Sequence, residues 1–366
     1  MAHNLEFRNG KYSFVENGKK ERAWHKLGKV FDGELTTIEA LTESGANFSV
    51  EKRNLYFPTK NIEEIIASGR DISASELRDL FKVVENRKGN IRTDANECLG
   101  VVSDAYGIVQ NADAFSFIDT LCSGKCDGAT PIIESAGVLG NGERIFITAK
   151  FPEQIKLDNK GEDLIEMYVV FTTSHDGTGA VQCMVTPVRV VCNNTLNYAM
   201  SHNSGKLSLR HTVNVNNRLD LTNKENAVMA YKALNIYNVY RYSFEQSLLE
   251  LAQIKVTDKQ AEQILVNALL PADAIKAYTA NDFSLNTDEI STRSKNIIAN
   301  VTESLHTGVG QNILAENSGL WLVNGLTTYY QNEARFKDDE TKMQSILDGL
   351  VNNKLQSVYD NLLAIA

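Results

Sequence analysis

The feature that most constrains this chain is a change of hydrophobic period near Leu219. Upstream, segments such as NFSVEKRNLYF, DLIEMYVVFTTS and LSLRHTVNV alternate apolar and polar residues, the period of a half-buried strand. Downstream, strand signals stop and apolar residues fall at helical spacing. This holds through NAVMAYKALNIYNVYRYSFEQSLLELAQI, DKQAEQILVNALL, EISTRSKNIIANVTESLH, LWLVNGLTTYY and MQSILDGLVNNKLQSVYDNLL. The pattern predicts an α+β protein: a β-rich antiparallel-sheet body with packed helices, then a helical C-terminal region. Three parts are expected: an N-terminal arm with a first helix and strand over 1–60, an α+β body over 61–219, and helices over 220–366.

Local signals sharpen this. Thr36 and Glu39 have the form of a capping box, and Gly45 ends the short helix that follows. Pro58 stops the next strand, and Asn61 precedes a helix through IEEIIAS. LFKVVENRKGNIRTD reads as two short strands around a basic turn, Arg87-Lys88-Gly89-Asn90. Asn111 is placed to cap a helix whose Ala114, Phe115, Ile118 and Leu121 share one face. Gly140-Asn141-Gly142 between two apolar runs marks a hairpin, and Pro187 predicts an edge or bulge in VQCMVTPVRVV. Asn193 heads a short helix through NTLNYAM, and Trp24 beside His25 is a packing anchor for the arm.

Charge is unevenly spread. The net charge is −9, with −1 over residues 1–81, −2 over 82–219 and −6 over 220–366. Yet from Gly177 to Leu219 there is no Asp or Glu, where composition predicts roughly five. Arg189, Lys206, Arg210, Arg218, His202, His211 and seven Asn fill that window. Arg, Lys and Asn suit phosphates and sugars. The window therefore reads either as a local anion-binding surface or as a solvated edge that lacks acids. Phosphate contacts fall to Arg189, Lys206, Arg210 and His211, with Asn193 and Asn194 donating and Arg87 and Lys88 at a rim. Tyr198, Tyr106 and Phe115 are candidate stacking platforms for single-stranded bases.

Other chemistries have weaker support. His175, Asp176, Cys192 and His211 make an alternative catalytic set built on the HDGTG loop, acting on a phosphorylated or nucleotide substrate. The loop lacks the Lys and helix of a phosphate-cradling motif. Ser174, His175 and Asp176 are adjacent, so they cannot converge as a triad. The spacings of Cys122, Cys126, Cys183, Cys192, His202 and His211 match no usual zinc pattern, so neither metal nor cofactor is expected. Five cysteines, no apolar leader and no long apolar run predict a cytoplasmic chain outside the membrane.

Several of these motifs together resemble the phage and plasmid-like proteins classed as domain of unknown function 932. The resemblance lies in Ala23–Gly28, Gly100–Asp119, Thr173–Val181, Thr186–Leu196, Arg210-His211-Thr212 and Leu320–Tyr330. The last motif commonly reads W-x-x-x-N-A-V-T in that family; here Gly325 and Leu326 stand instead, which implies a slightly different helix packing. The resemblance carries no catalytic residues. It implies a role in DNA metabolism, and the layout is similar to phage single-strand annealing proteins. The expectation that follows is a single-stranded DNA-binding protein, with strand annealing and oligomerisation as the finer expectation. The alternatives are the enzyme above, or a structural or inhibitory protein whose helical part binds a host or phage partner.

Overall fold

A computed structural model describes residues 5–18, 27–60, 62–123, 130–156, 163–189, 194–195, 206–212, 223–337, 341–342, 345 and 349–365. The side chains of Arg189, Asn194 and Lys206 lie outside that description, as do Asn193, Cys192, Tyr198, Trp24 and His25 altogether.

The body is an eight-stranded sheet. After a separate short hairpin of β1 (Phe7–Arg8) and β2 (Lys11–Tyr12), its strands are β3 (Phe14–Asn17), β4 (Lys29–Phe31), β8 (Ile132–Leu139), β9 (Arg144–Lys156), β10 (Leu164–Ser174), β11 (Val181–Arg189), β12 (Asn194–Thr195) and β13 (Lys206–Leu209). The spatial order is β12-β11-β10-β9-β8-β3-β4, and β13 also pairs with β11. Among the described residues only β3 and β4 run parallel. The Gly140–Gly142 turn joins β8 to β9, with both glycines at positive φ (69° and 113°) as the tight connection requires. Alternation decides the faces. Ile145, Ile147, Ala149 and Phe151, then Ile165, Met167, Val169 and Phe171, are buried on one side. Thr148, Lys150, Tyr168 and Val170 are half-buried on the other.

Helices cover the apolar face. α1 (Thr37–Glu43) starts on the Thr36–Glu39 capping box and ends before Gly45, whose φ is 75°. α4 (Asn111–Phe115) and α5 (Phe117–Cys122) bury Ala114, Phe115, Ile118 and Leu121, and Phe117 meets Phe171 edge-on at 5.3 Å. The long α6 (Asn223–Gln253) stacks Tyr237 on Phe151 at 3.5 Å, so the C-terminal helices share one continuous core with the sheet. α7 (Asp258–Leu269), α8 (Ala272–Ala280), α9 (Thr292–Thr307), α10 (Gly319–Thr328) and α11 (Leu350–Leu363) complete that region. Every residue of α10 is buried. Asn324 donates to Gln311 Oε1 (2.7 Å), and Gln311 Nε2 bridges the carbonyls of Leu305 and Trp321, both at 3.0 Å. A Cβ on Gly325 would lie 2.4 Å from Leu305 Cδ2 and 2.9 Å from Leu305 Cα, so α9 and α10 approach more closely than alanine allows.

A second sheet of three antiparallel strands runs β5-β6-β7: β5 (Val50–Pro58), β6 (Phe81–Arg92) and β7 (Glu97–Ser103). Between β5 and β6 the chain makes α2 (Ile62–Ala67) and α3 (Ala74–Leu80). The expected basic turn at Arg87–Asn90 is therefore not a turn. Lys88–Asn90 pair on both sides, with Asn54–Lys52 and with Val102–Gly100, and Arg87 pairs with Ser103. Gly89 is in the strand because Leu55, Ile91 and Cys98 crowd the space a Cβ would take, at 3.1–3.3 Å. The reversal comes after Arg92, over residues 93–96, with Asn96 at φ 54°.

Two other local expectations differ. Asn194 and Thr195 pair with Arg189 and Val188, so a helix does not begin at Asn194; the outer edge of β11 takes up their backbone groups instead. Asn111 is not the cap of α4; Gln110 holds that position and Asn111 is buried, bonding elsewhere. Pro187 fits its expected place: β11 pairs with β13 over 181–184 and with β12 over 188–189, leaving 185–187 with no outer partner among the described residues.

Candidate nucleic-acid interface

The β8–β9 turn and the β10–β11 loop lie at one end of the large sheet, and the three-stranded sheet sits over that end. Asn90 Nδ2 donates to the His175 carbonyl (2.7 Å), and a Cβ on Gly100 would lie 2.5 Å from Asp176 Cα. Arg92, 2% exposed, donates to Glu6 Oε1 (2.5 Å), Asp94 Oδ1 (2.8 Å) and the Asn141 carbonyl (3.0 Å), with its guanidinium over Phe48. This buried network ties the N-terminal segment, the small sheet and the β8–β9 turn together.

The loop after β7, residues 103–107, is where the predicted cations meet. Arg87 pairs with Ser103 across the ladder. Lys88 Nζ lies 3.8 Å from Asp104 Oδ1, and Lys52 Nζ donates to the carbonyls of Asp104 (3.1 Å) and Tyr106 (2.8 Å). On the other side of the loop, Tyr106 bridges to Thr212 and the Gly107 amide donates to the His211 carbonyl (3.3 Å). Arg210 is exposed there with no ion pair among the described residues. The end of the acid-free window and the basic part of β6 thus flank a single loop, although they are over a hundred residues apart in sequence.

The other described residues of the window lie further off. Leu209 is opposite Val181 and Lys206 opposite Met184, while Arg189 pairs with Asn194 at the far end of β11. From Val181 to Arg189 the strand runs roughly 26 Å at about 3.3 Å per residue. Arg210 and Arg189 therefore mark opposite ends of one sheet edge, with Lys206 between them; they are strung along that edge rather than clustered.

The imidazoles are structural in their surroundings. His175 is fully enclosed. Asn111 Nδ2 donates to the Ala46 carbonyl (2.7 Å), so its Oδ1 accepts from His175 Nε2–H (2.8 Å). His211 Nδ1–H donates to the Gly107 carbonyl (3.1 Å), and its ring stacks on Tyr106 at 4.8 Å. Each imidazole keeps a buried accepting nitrogen, His175 Nδ1 and His211 Nε2, with no hydrogen-bond partner among the described residues. Burial, then the charge of His211, lowers the His175 pKa to about 4; burial also lowers that of His211 against the opposing effect of the Gly107 hydrogen bond.

Asp176 is occupied by its own turn. It accepts from the Thr178 amide (2.8 Å) and hydroxyl (2.7 Å), and Arg144 donates to Thr178 Oγ1 (3.1 Å). Three of the alternative catalytic set, His175, Asp176 and His211, are thus near neighbours, but no hydrogen bond joins them among the described residues and His175 is closed to substrate; the fourth, Cys192, lies outside the described residues. No group of three or more metal-ligating side chains occurs among the described residues. Burial pushes the Cys122 and Cys183 thiols up to about 12, which keeps both protonated.

Two of the three expected stacking platforms are unsuitable. Phe115 is in the core, and Tyr106 is 8% exposed beneath His211, with its hydroxyl bonded to the Ser174 carbonyl (2.9 Å). Tyr198 lies outside the described residues. Exposed aromatic rings occur instead on β5 and β6, at Tyr56, Phe57 and Phe81. Sequence reasoning passed over them because they lie in an acid-containing stretch, far from the window.

Residues 98–350 match the model of a family described as a domain of unknown function, number 932, and the chain belongs to that family. No curated protein and no solved structure matches it. No described helix is long and apolar enough to cross a membrane.

Proposed function

We propose that the protein binds single-stranded DNA, in the cytoplasm, with the loop 103–107 and the β11–β13 edge as its contact surface. The observation that supports this best is the meeting of Arg87 and Lys88 from one sheet with Arg210 from the other around that loop, in a chain of net charge −9; His211, buried and lowered in pKa, contributes no charge there. Such local charge holds phosphates while the acidic remainder repels polyanions. Lys206, Arg189 and Asn194 stand by backbone pairing along the same β11 edge, which suits an extended strand better than a compact ligand.

The test is an anisotropy titration of a labelled single-stranded oligonucleotide against the protein and an Arg87→Ala, Lys88→Ala, Arg210→Ala variant. The variant should lose at least ten-fold in affinity with an unchanged thermal melt. Equal affinity would remove these residues from the site.

Self-association, as in an annealing protein of phage or plasmid type, has an observation of its own. On α6, Val228, Asn235, Tyr242 and Leu249 recur every seven residues, with Val239 between, and all five are exposed. That is the spacing of a coiled-coil seam, with an amide at one position that fixes register. Tyr242→Glu should shift the native mass toward a monomer; a wild-type protein that is monomeric at micromolar concentration would count against this seam.

A further inference from the structure

Beyond the pair Arg87↔Ser103, β7 ends and β5–β6 continue as a two-stranded ribbon. Tyr56 lies opposite Val83 and Pro58 opposite Phe81. Directly opposed residues share a face, and so do residues two apart, so these four side chains form one continuous apolar block. It is open to solvent: Tyr56 is 57% exposed, Phe81 39% and Val83 42%. On the reverse face Phe57, 47% exposed, is opposite Lys82.

The charge around these rings is one-sided. Segments 52–60 and 81–88 carry six cations, Lys52, Arg53, Lys60, Lys82, Arg87 and Lys88, against one carboxylate, Glu85. Lys82 and Arg87 have no ion pair among the described residues, Lys60 stands near enough to Glu76 to help lower its pKa, and Arg53 is held by Glu51 (2.5 Å). The carboxylates of the intervening excursion lie on and around α2 and α3, where Glu76 is already held by Arg70 (2.5 Å). A second copy docked ribbon to ribbon would bring six more cations against these six. A polyanion with flat apolar bases matches both features at once.

We propose that this ribbon is a base-stacking platform: bases of single-stranded nucleic acid lie over Tyr56 and Phe81, and Lys60 and Arg87 hold the flanking phosphates. This rests on the DNA-binding reading and adds to it a site for the bases. Arg87 joins the two, since it stands where the ribbon meets the loop 103–107.

The experiment compares a labelled oligothymidylate with an abasic oligodeoxynucleotide of equal length, by anisotropy. The proteins are wild type, Tyr56→Ala with Phe81→Ala, Tyr56→Phe with Phe81→Tyr, and Arg87→Ala with Arg210→Ala. Wild type should prefer the base-bearing strand at least ten-fold. The alanine pair should lose that preference and bind oligothymidylate at least ten-fold more weakly, while the aromatic swap retains both. If the alanine pair binds like wild type while the arginine pair is weakened, the ribbon proposal fails and the DNA-binding reading stands. If wild type binds neither oligonucleotide, both fail. If sedimentation shows that the alanine pair only dissociates a wild-type dimer, with unchanged DNA affinity, the ribbon is a self-association surface and the proposal is overturned.

Discussion

His175 couples the molecule's stability to pH through its enclosure. Its pKa is lowered from 6.5 to about 4 in the folded protein. Above pH 6.5 the ring is neutral in both states and pH has no effect through it. Between 6.5 and 4 the unfolded chain takes up a proton that the folded chain excludes, so stability falls as pH drops. The slope approaches about 1.4 kcal/mol per pH unit. Urea unfolding midpoints at pH 7.5 and 5.0 should show this loss, and His175→Gln should reduce it; an identical pH dependence in the variant would contradict the assignment. Gly325 gives a second prediction at this scale. Alanine there must displace Leu305, whose Cα would stand 2.9 Å from the new Cβ, and the cost of such overpacking is about 1–3 kcal/mol. A melt unchanged by Gly325→Ala would show that α9 can move aside.

Among the elements, the joint between the two sheets depends most on one side chain. Arg92 is buried with Glu6, itself 4% exposed, and removing one partner of such a pair costs about 3–5 kcal/mol where the other is left alone; here Arg8 and Ser13 still hold Glu6, which puts the loss at the lower end. Arg92→Leu should destabilise by that order, and adding Glu6→Gln should recover part of it; a double-mutant cycle in urea measures both. The elements also show what sequence reveals and what it does not. The α1 capping box, the Gly140–Gly142 hairpin and the buried face of α4–α5 were legible because each depends on residues within a few positions. Arg87–Asn90 was misread as a turn because Gly89-Asn90 has turn chemistry, while the reason it is strand, Leu55 and Cys98 crowding Gly89, lies on neighbouring strands. Asn111 was misread as a cap for the same reason: its partner His175 is 64 residues away. The helices Ala74–Leu80 and Ala272–Ala280 are short; Ser73 caps the first, its hydroxyl accepting from the Glu76 amide, a signal that sequence reasoning passed over, while the second follows Pro271 with no side-chain cap.

For the whole molecule, the change of period near Leu219 correctly separated sheet from helices, and α6 begins at Asn223. The candidate site was legible in its residue types but not in its layout. An acid-free run marks a tendency in sequence, and only strand pairing shows that Arg189 and Arg210 lie at opposite ends of β11 while Lys88 and Arg210 flank one loop. The most direct test of that surface is the salt dependence of single-stranded DNA affinity between 50 and 200 mM salt, about the range over which phosphate contacts reveal themselves. With three to five phosphates held, the slope of log affinity against log salt should be roughly −2 to −3.5. It should become shallower by about two when Arg87, Lys88 and Arg210 are replaced by alanine. A flat salt response, or no measurable binding at the lower salt, would contradict a cationic DNA-binding surface on this protein.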